Sequence, residues 1–296
     1  MTTWLDYARR GRNSFWLYLI AIPLALLITI VLGVVLGLAL TLSGVASQSE
    51  LAAVNDPSRP TPFFLGVFVI FGLLLFGFIA AVRLLHRKRF ADLLGRWRWS
   101  AFWLGAGVWT LAQVAGTAAD LAIAPHALKI SASAATLGLA LIAAPALAMQ
   151  TFTEEYVFRG YVTQGLSLIL RRPLVTSIVS GAIFASAHIP NGAPQAVGAL
   201  MFGSVVAYAA IRTGGLALGC GAHLANNLFG SLVVVSDADV FKGAPALVTE
   251  HAPGLLWWDV GVEAVLLAIA MLLLARLPLG QDNFGAEAEA AAGVFQ

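Results

Sequence analysis

Long apolar runs alternate with short charged stretches along the whole chain. Residues Phe15–Leu42 make 28 positions without a charged side chain. A hydrocarbon layer about 30 Å thick takes roughly 20 apolar residues of helix, so this run predicts a spanning helix. It exceeds the roughly 7–15-residue apolar core of a secretory signal and reads as a retained anchor. Further runs predict spans at 63–82, 101–119, 130–153, 173–187, 193–211, 213–236 and 255–277. The fourth does not stop at 153; its pattern continues as helix from about Leu137 to Leu170. The expected fold is all-α: a polytopic membrane protein of about eight transmembrane helices with a polar site inside the bundle. It forms one integral membrane domain, 1–296, with a functional core at about 130–236. The stretch 43–62 reads as an external connector, and 280–296 as a loose Ala/Glu-rich tail.

Composition sharpens this picture. Of 296 residues, 59% are hydrophobic and 11% charged, and mean hydropathy is +0.86. Soluble domains carry about 25% charged residues, so a soluble globule and a disordered chain are both excluded. A net charge of +2 gives no reason to expect a nucleic-acid partner. The single cysteine, Cys220, excludes an internal disulfide and a cysteine-built metal cluster, and reads as a small packing residue. Basic residues fall unevenly between the runs. Arg9, Arg10, Arg12, Arg83, Arg87, Lys88, Arg89, Arg96, Arg98, Arg171, Arg172, Arg212 and Arg276 share one face, against Arg59, Lys129 and Lys242 on the other. By the positive-inside rule, both termini are expected in the cytoplasm, as for a protein of a prokaryotic plasma or inner membrane. Trp97, Trp99 and Trp103, and Trp257 and Trp258, mark the two interfaces. Gly33/Gly37 and Gly215/Gly219 have the spacing that permits close helix packing.

Three places break the apolar pattern: Glu154-Glu155-Tyr156-Val157-Phe158-Arg159, Phe184 to His188, and His223 to Asn227. A charge at the bilayer centre costs about 2.5–3.5 kcal/mol even on the mildest scale, so such residues default to function. Glu155 and Arg159 are i,i+4 and form an expected ion pair. Glu154, turned about 100° away, is left for other work. At about 1.5 Å per residue, Glu154 lies roughly 25 Å from Arg171, His188 roughly 24 Å from Arg172, and His223 and Asn227 roughly 17 and 23 Å from Arg212. Measured from one face, all four groups converge on a similar level. Taken singly, the bland readings hold: Glu155–Arg159 as a structural pair, His223 and Asn227 as interhelical hydrogen-bonding groups, Phe184 as core. Asp259 and Glu263 are assigned to a water interface.

A carboxylate and a histidine can act as base and acid on water, and a second histidine with an asparagine can donate to an oxyanion. That set suits amide hydrolysis without a covalent intermediate. Ser186 is a weaker nucleophile candidate, because it points about 200° from His188 on a helix. Zinc is the alternative cofactor, with Glu154, His188 and His223 as ligands, although the HExxH spacing is absent.

In these three segments the chain resembles the CAAX prenyl protease and bacteriocin-processing family of intramembrane endopeptidases, marked by EExxxR, FxxxH and HxxxN on successive helices. Glu154-Glu155-x-x-x-Arg159, Phe184-x-x-x-His188 and His223-x-x-x-Asn227 carry the resemblance without departure. It implies that Glu154 activates the water with His188 as its partner. It implies that His223 and Asn227 steady the oxyanion, and that Glu155 and Arg159 hold the helix and orient Glu154. The implied partners are the lipid bilayer and a membrane-associated or lipidated peptide or protein, in CAAX-type, bacteriocin or leader-peptide processing. No cofactor is the expectation, with zinc as the alternative. An ion-coupled transporter is the rival class, but it calls for polar midplane residues in both halves, and here they lie only in the second. A non-catalytic immunity or scaffold protein calls for an eroded signature, and all three motifs are intact.

Overall fold

A computed structural model describes residues 3–237, 241, 244–251 and 256–276; the tail expected from Gly280 lies outside them. A short helix α1, Trp4–Arg9, is closed by a reciprocal cap between Thr3 and Asp6. It is followed by α2, Phe15–Leu42, whose bounds coincide with the first charge-free run. The connector holds a surface turn of helix, α3, Gln48–Ala53, capped by Ser47 and Glu50. Then come α4, Pro60–Leu85, started by a proline at its first position, the short α5, Phe90–Leu94, and α6, Trp99–Ile123.

The chain is continuously helical from Ala134 to Leu170, in three parts: α7, Ala134–Glu154, a π-helical stretch Glu155–Thr163, and α8, Gln164–Leu170. The helices α9, Pro173–Ser186, α10, Ala193–Thr213, and α11, Ala217–Leu228, follow, the last running into a second π turn, Phe229–Val233. The described chain ends in α12, Leu256–Arg276.

Five of these helices are long and apolar enough to cross a membrane: Phe15–Leu42, Pro60–Leu85, Ala134–Leu170, Ala193–Thr213 and Trp257–Leu274, with Pro173–Ser186 a shorter apolar helix. Large apolar side chains cover the outside of α2, among them Trp16 at 67% and Ile30 at 62% exposure. The protein is an integral membrane protein of all-α class. Helices occur at all eight positions where spans were expected, but only five of them are long and apolar enough to cross, and the other three are less suited to lipid. The 25 residues of α6 are diluted by Gln113 and Asp120. The 14 of α9 reach only about 21 Å. Most of α11 is buried by its neighbours, so its outer faces need not be apolar.

The core is layered around the long helix. Ala21, Ala25, Phe78, Tyr156 and Tyr161 join α2, α4 and the π stretch in one cluster. Trp109, Phe202, Val206, Ala222 and Leu267 join α6, α10, α11 and α12 in another. Crossings are set by glycine. A Cβ on Gly221 of α11 would run into the Phe102 carbonyl of α6, and one on Gly105 of α6 into the Leu218 carbonyl. Gly215 and Gly219 are closely packed as their spacing predicts, whereas Gly37 has open space around it and Gly33 only an ordinary contact.

A three-stranded sheet was not expected. Strands β1, Leu128–Ile130, β2, Val234–Ser236, and β3, Val248–Glu250, lie in the order β1-β3-β2, antiparallel then parallel. They take the start of the fourth apolar run and the end of the seventh, where a short Val/Ile stretch satisfies strand and helix equally. Trp99, Trp103, Trp257 and Trp258 are exposed, as interface aromatics should be.

Candidate active site

The polar groups meet where the long helix changes its winding. Glu154 closes α7, and Glu155 and Arg159 lie in the π stretch, a winding that often accompanies function. The expected ion pair is present: Arg159 Nη1 stands 2.9 Å from Glu155 Oε1, with both side chains essentially inaccessible. The Arg159 guanidinium also lies 4.1 Å over the Phe184 ring, a cation–π contact that strengthens away from water. Gly203 of α10 leaves room for both; a Cβ there would come 3.0 Å from Phe184 and 3.4 Å from Arg159. Gly219 does the same beside Glu155 Oε2.

His223 of α11 reaches both glutamates. Its Nδ1 is 2.8 Å from Glu155 Oε1, and its Nε2 is 3.5 Å from Glu154 Oε2. The ring is 4% exposed and faces the edge of Phe184 at 5.8 Å. Because the carboxylate of the Glu155–Arg159 pair accepts, Nδ1 carries the proton and Nε2 is turned toward Glu154. Glu154 itself is partly exposed at 12%, and its Oε1 accepts from Gln150 Nε2 at 3.1 Å.

His188 follows α9. Its Nδ1 donates to the Phe184 carbonyl at 3.0 Å, and its ring stacks on Phe184 at 4.5 Å. A carbonyl only accepts, so Nδ1 is the protonated nitrogen and Nε2 is the one left for the cavity. Phe184 is therefore more than core: Arg159, His188 and His223 all pack against one ring. Asn227 donates from Nδ2 to Thr151 Oγ1 at 3.2 Å, which leaves its second N–H uncommitted to that bond. Ser186 is exposed and donates locally to Ile183 at 2.7 Å.

His188, His223 and Asn227 line one cavity of about 320 Å³ together with Gln150, Phe184 and Phe202, and Glu154 stands behind that wall, against His223 and Gln150. The cavity's far wall comes from α12: Asp259 and Glu263, expected at a water interface, line it as well. Asn191 and Pro194, at the connector between α9 and α10, line it too, at the end of those helices away from Arg171, Arg172 and Arg212. Convergence of Glu, His, His and Asn from three helices is thus observed. What sequence reasoning missed is the supporting layer. Gln150 and Thr151 stand one turn before Glu154 and Glu155, on the same helical faces, so i,i+4 spacing was a usable signal. Asn226, which accepts from Trp109 Nε1 at 3.0 Å and donates to Asn227 Oδ1 at 3.4 Å, was not marked by any motif.

Zinc was tested against this arrangement. Among the described residues, no three His, Cys, Asp or Glu side chains are placed to hold a metal ion. His223 is engaged at Nδ1 by Glu155, and Glu154, His188 and His223 are not grouped as a ligand set in this structure.

The fold and the site together define an integral membrane protein with a buried carboxylate–imidazole cluster beside a polar cavity. Residues 136–229, which contain all three motifs, match the family model described as type II CAAX prenyl endopeptidase Rce1-like. Similarity extends beyond the segment. The chain is 26% identical over 280 residues to "Uncharacterized protein YyaK" of Bacillus subtilis (strain 168), covering 88% of this chain and 93% of that protein. No solved structure matches the chain.

Proposed function

We propose that the protein is an intramembrane endopeptidase that hydrolyses a peptide bond of a membrane-associated substrate with water activated by Glu154 and histidine. The observation that carries this reading is His223 in the cavity wall, set between the two glutamates, one neutralised by Arg159 and the other partly exposed beside it. Glu155 and Arg159 balance each other's charge, so Glu155 can orient His223 without presenting a free anion to the substrate. Glu154 takes the proton as a water oxygen forms the new C–O bond to the scissile carbonyl. The uncommitted N–H of Asn227 donates to the oxyanion that develops. The proton taken by Glu154 then passes, directly or through His223 or His188, to the amide nitrogen as the C–N bond breaks. The products are a carboxylic acid and an amine, and no covalent enzyme intermediate forms.

Two features fit a membrane-associated substrate. The site lies inside an apolar bundle, and its cavity is lined by the α9–α10 connector, at the end away from Arg171, Arg172 and Arg212, which the positive-inside rule makes the extracytoplasmic end. A CAAX-type or a leader-peptide substrate both fit the family. Product mapping by mass spectrometry on purified protein, with membrane-partitioning peptides, tests the reading. Cleavage by wild type and its loss in Glu154→Gln is the expected result; equal cleavage by both would end the assignment of Glu154.

A further inference from the structure

Asn227 lines the cavity, and the end of its amide that faces the cavity decides whether it can serve an oxyanion. Its Nδ2 donates to Thr151 Oγ1 at 3.2 Å. A hydroxyl can give or take a hydrogen bond, so Thr151 does not by itself set the direction of the amide. Asn226 donates from its own Nδ2 to Asn227 Oδ1 at 3.4 Å, but an amide too can be turned over. The last member of this chain of bonds gives it a direction. Trp109 of α6 places its indole Nε1 3.0 Å from Asn226 Oδ1, and an indole nitrogen only donates. Asn226 therefore keeps its oxygen toward Trp109 and its NH₂ toward Asn227. Asn227 in turn keeps its oxygen toward Asn226, and its NH₂ toward Thr151 and the cavity. Turning either amide over alone would set two N–H groups face to face.

Trp109 is itself firmly held. It is 6% exposed, within the cluster that joins α6, α10, α11 and α12. Its ring meets Phe202 edge-on with centroids 5.0 Å apart, and Phe202 meets His223 in the same way at 5.5 Å. One indole is thus joined to both cavity groups of α11, to His223 by packing and to Asn227 by polarity. It stands on α6, outside residues 136–229.

We infer that Trp109 is a positioning residue: through Asn226 it holds the Asn227 amide with an N–H toward the cavity, where the oxyanion forms. The inference rests on the proposed reading of that cavity as a peptidase site, and it extends the working parts of that site to a helix beyond the matched segment.

Two measurements on purified full-length protein in detergent test this: steady-state cleavage of a membrane-partitioning peptide, and the ¹H–¹⁵N spectrum of the tryptophan indoles. Trp109→Phe keeps a packed ring and removes the donor. It is expected to lower kcat roughly three- to tenfold with KM nearly unchanged, because bound substrate then meets the amide in both orientations. Asn226→Ala, which breaks the same chain without touching the ring, should behave alike. Asn227→Ala should lower kcat about 10²-fold, and adding Trp109→Phe to it should cost nothing further. Trp103→Phe, on the same helix at 67% exposure, should leave kcat as it is. The Trp109 indole signal, assigned by its loss in Trp109→Phe, should move upfield in Asn226→Ala. An additive loss in the double variant would make Trp109 a packing residue and overturn the inference. Full activity of Trp109→Phe, or an indole signal unmoved in Asn226→Ala, would overturn it too, and all three outcomes leave the protease reading standing. No cleavage by wild type would refute that reading and the positioning role with it, whatever the indole signal shows.

Discussion

At the residue scale, the account turns on the unequal surroundings of two adjacent glutamates. Glu155 is wholly buried and paired with Arg159, whereas Glu154 is partly exposed and faces His223 of the cavity wall. Removing the charge of Glu155 leaves a buried guanidinium without its partner, which typically costs about 3–5 kcal/mol. Glu155→Gln is therefore expected to lower the unfolding temperature in detergent and abolish cleavage, and Glu154→Gln to abolish cleavage with the unfolding temperature nearly unchanged. Equal thermal losses in the two variants would contradict the division of labour. A second residue away from the site also has a definite consequence. Lys88 is 2% exposed, and its Nζ donates to the Ala8 carbonyl at 2.7 Å, tying α1 to the loop before α5. Burial pushes its pKa down to about 7, with the Asp92 carboxylate pulling the other way. Between that value and the ordinary lysine range the unfolded chain holds a proton that the folded chain does not. Stability should thus rise with pH from about 7 toward 10, at up to about 1.4 kcal/mol per pH unit from this group. Thermal unfolding as a function of pH should show that slope, and Lys88→Met should flatten it; an unchanged slope in the variant would refute the assignment.

At the element scale, catalytic geometry depends on how closely α6 and α11 approach. Gly221 sits two residues before His223, and its missing Cβ is what lets the two backbones meet. Gly221→Ala forces them apart, an overpacking that costs about 1–3 kcal/mol and moves His223 and Asn227 together. Activity and unfolding temperature should both fall. Gly107→Ala, on α6 with nothing within 4 Å, should leave activity alone and stabilise slightly. Similar effects from the two variants would show that the crossing does not matter. The same helices show what was legible in the sequence. The bounds of α2 followed from charge alone, because a lipid-facing helix must be apolar along its whole length. The inner helix α11 was legible within the apolar run 213–236, but its end at Leu228 was not, since the run continues through a π turn into β2. The π winding at Glu155–Thr163 was not legible, since hydropathy reports side-chain chemistry and not whether a carbonyl bonds four or five residues on. Asp259 and Glu263 were placed at the right end of α12 and given the wrong surroundings, because sequence position fixes depth but not which neighbour a face meets. The three motif segments, by contrast, were readable as one site, since ionisable residues in an apolar bundle have few places to go but together.

At the scale of the whole molecule, Arg171, Arg172 and Arg212 lie at one end of α9 and α10, and the connector that lines the cavity at the other. If the basic end is cytoplasmic, a cysteine at Ser49 in a Cys220→Ser background should react with an impermeant maleimide on intact cells, and one at exposed Arg87 only after permeabilisation. The reverse pattern would invert the topology and place the acidic cavity in the cytoplasm. The central claim is that water, activated by Glu154 in this cavity, cleaves a peptide bond. It is tested most directly by a single turnover in ¹⁸O-water, with chelator-treated protein and a peptide that wild type cleaves. The new carboxyl terminus should carry one ¹⁸O atom by mass spectrometry, and Glu154→Gln should give no labelled product. Cleavage that persists in Glu154→Gln, or that vanishes with chelation and returns only with zinc, would contradict the account.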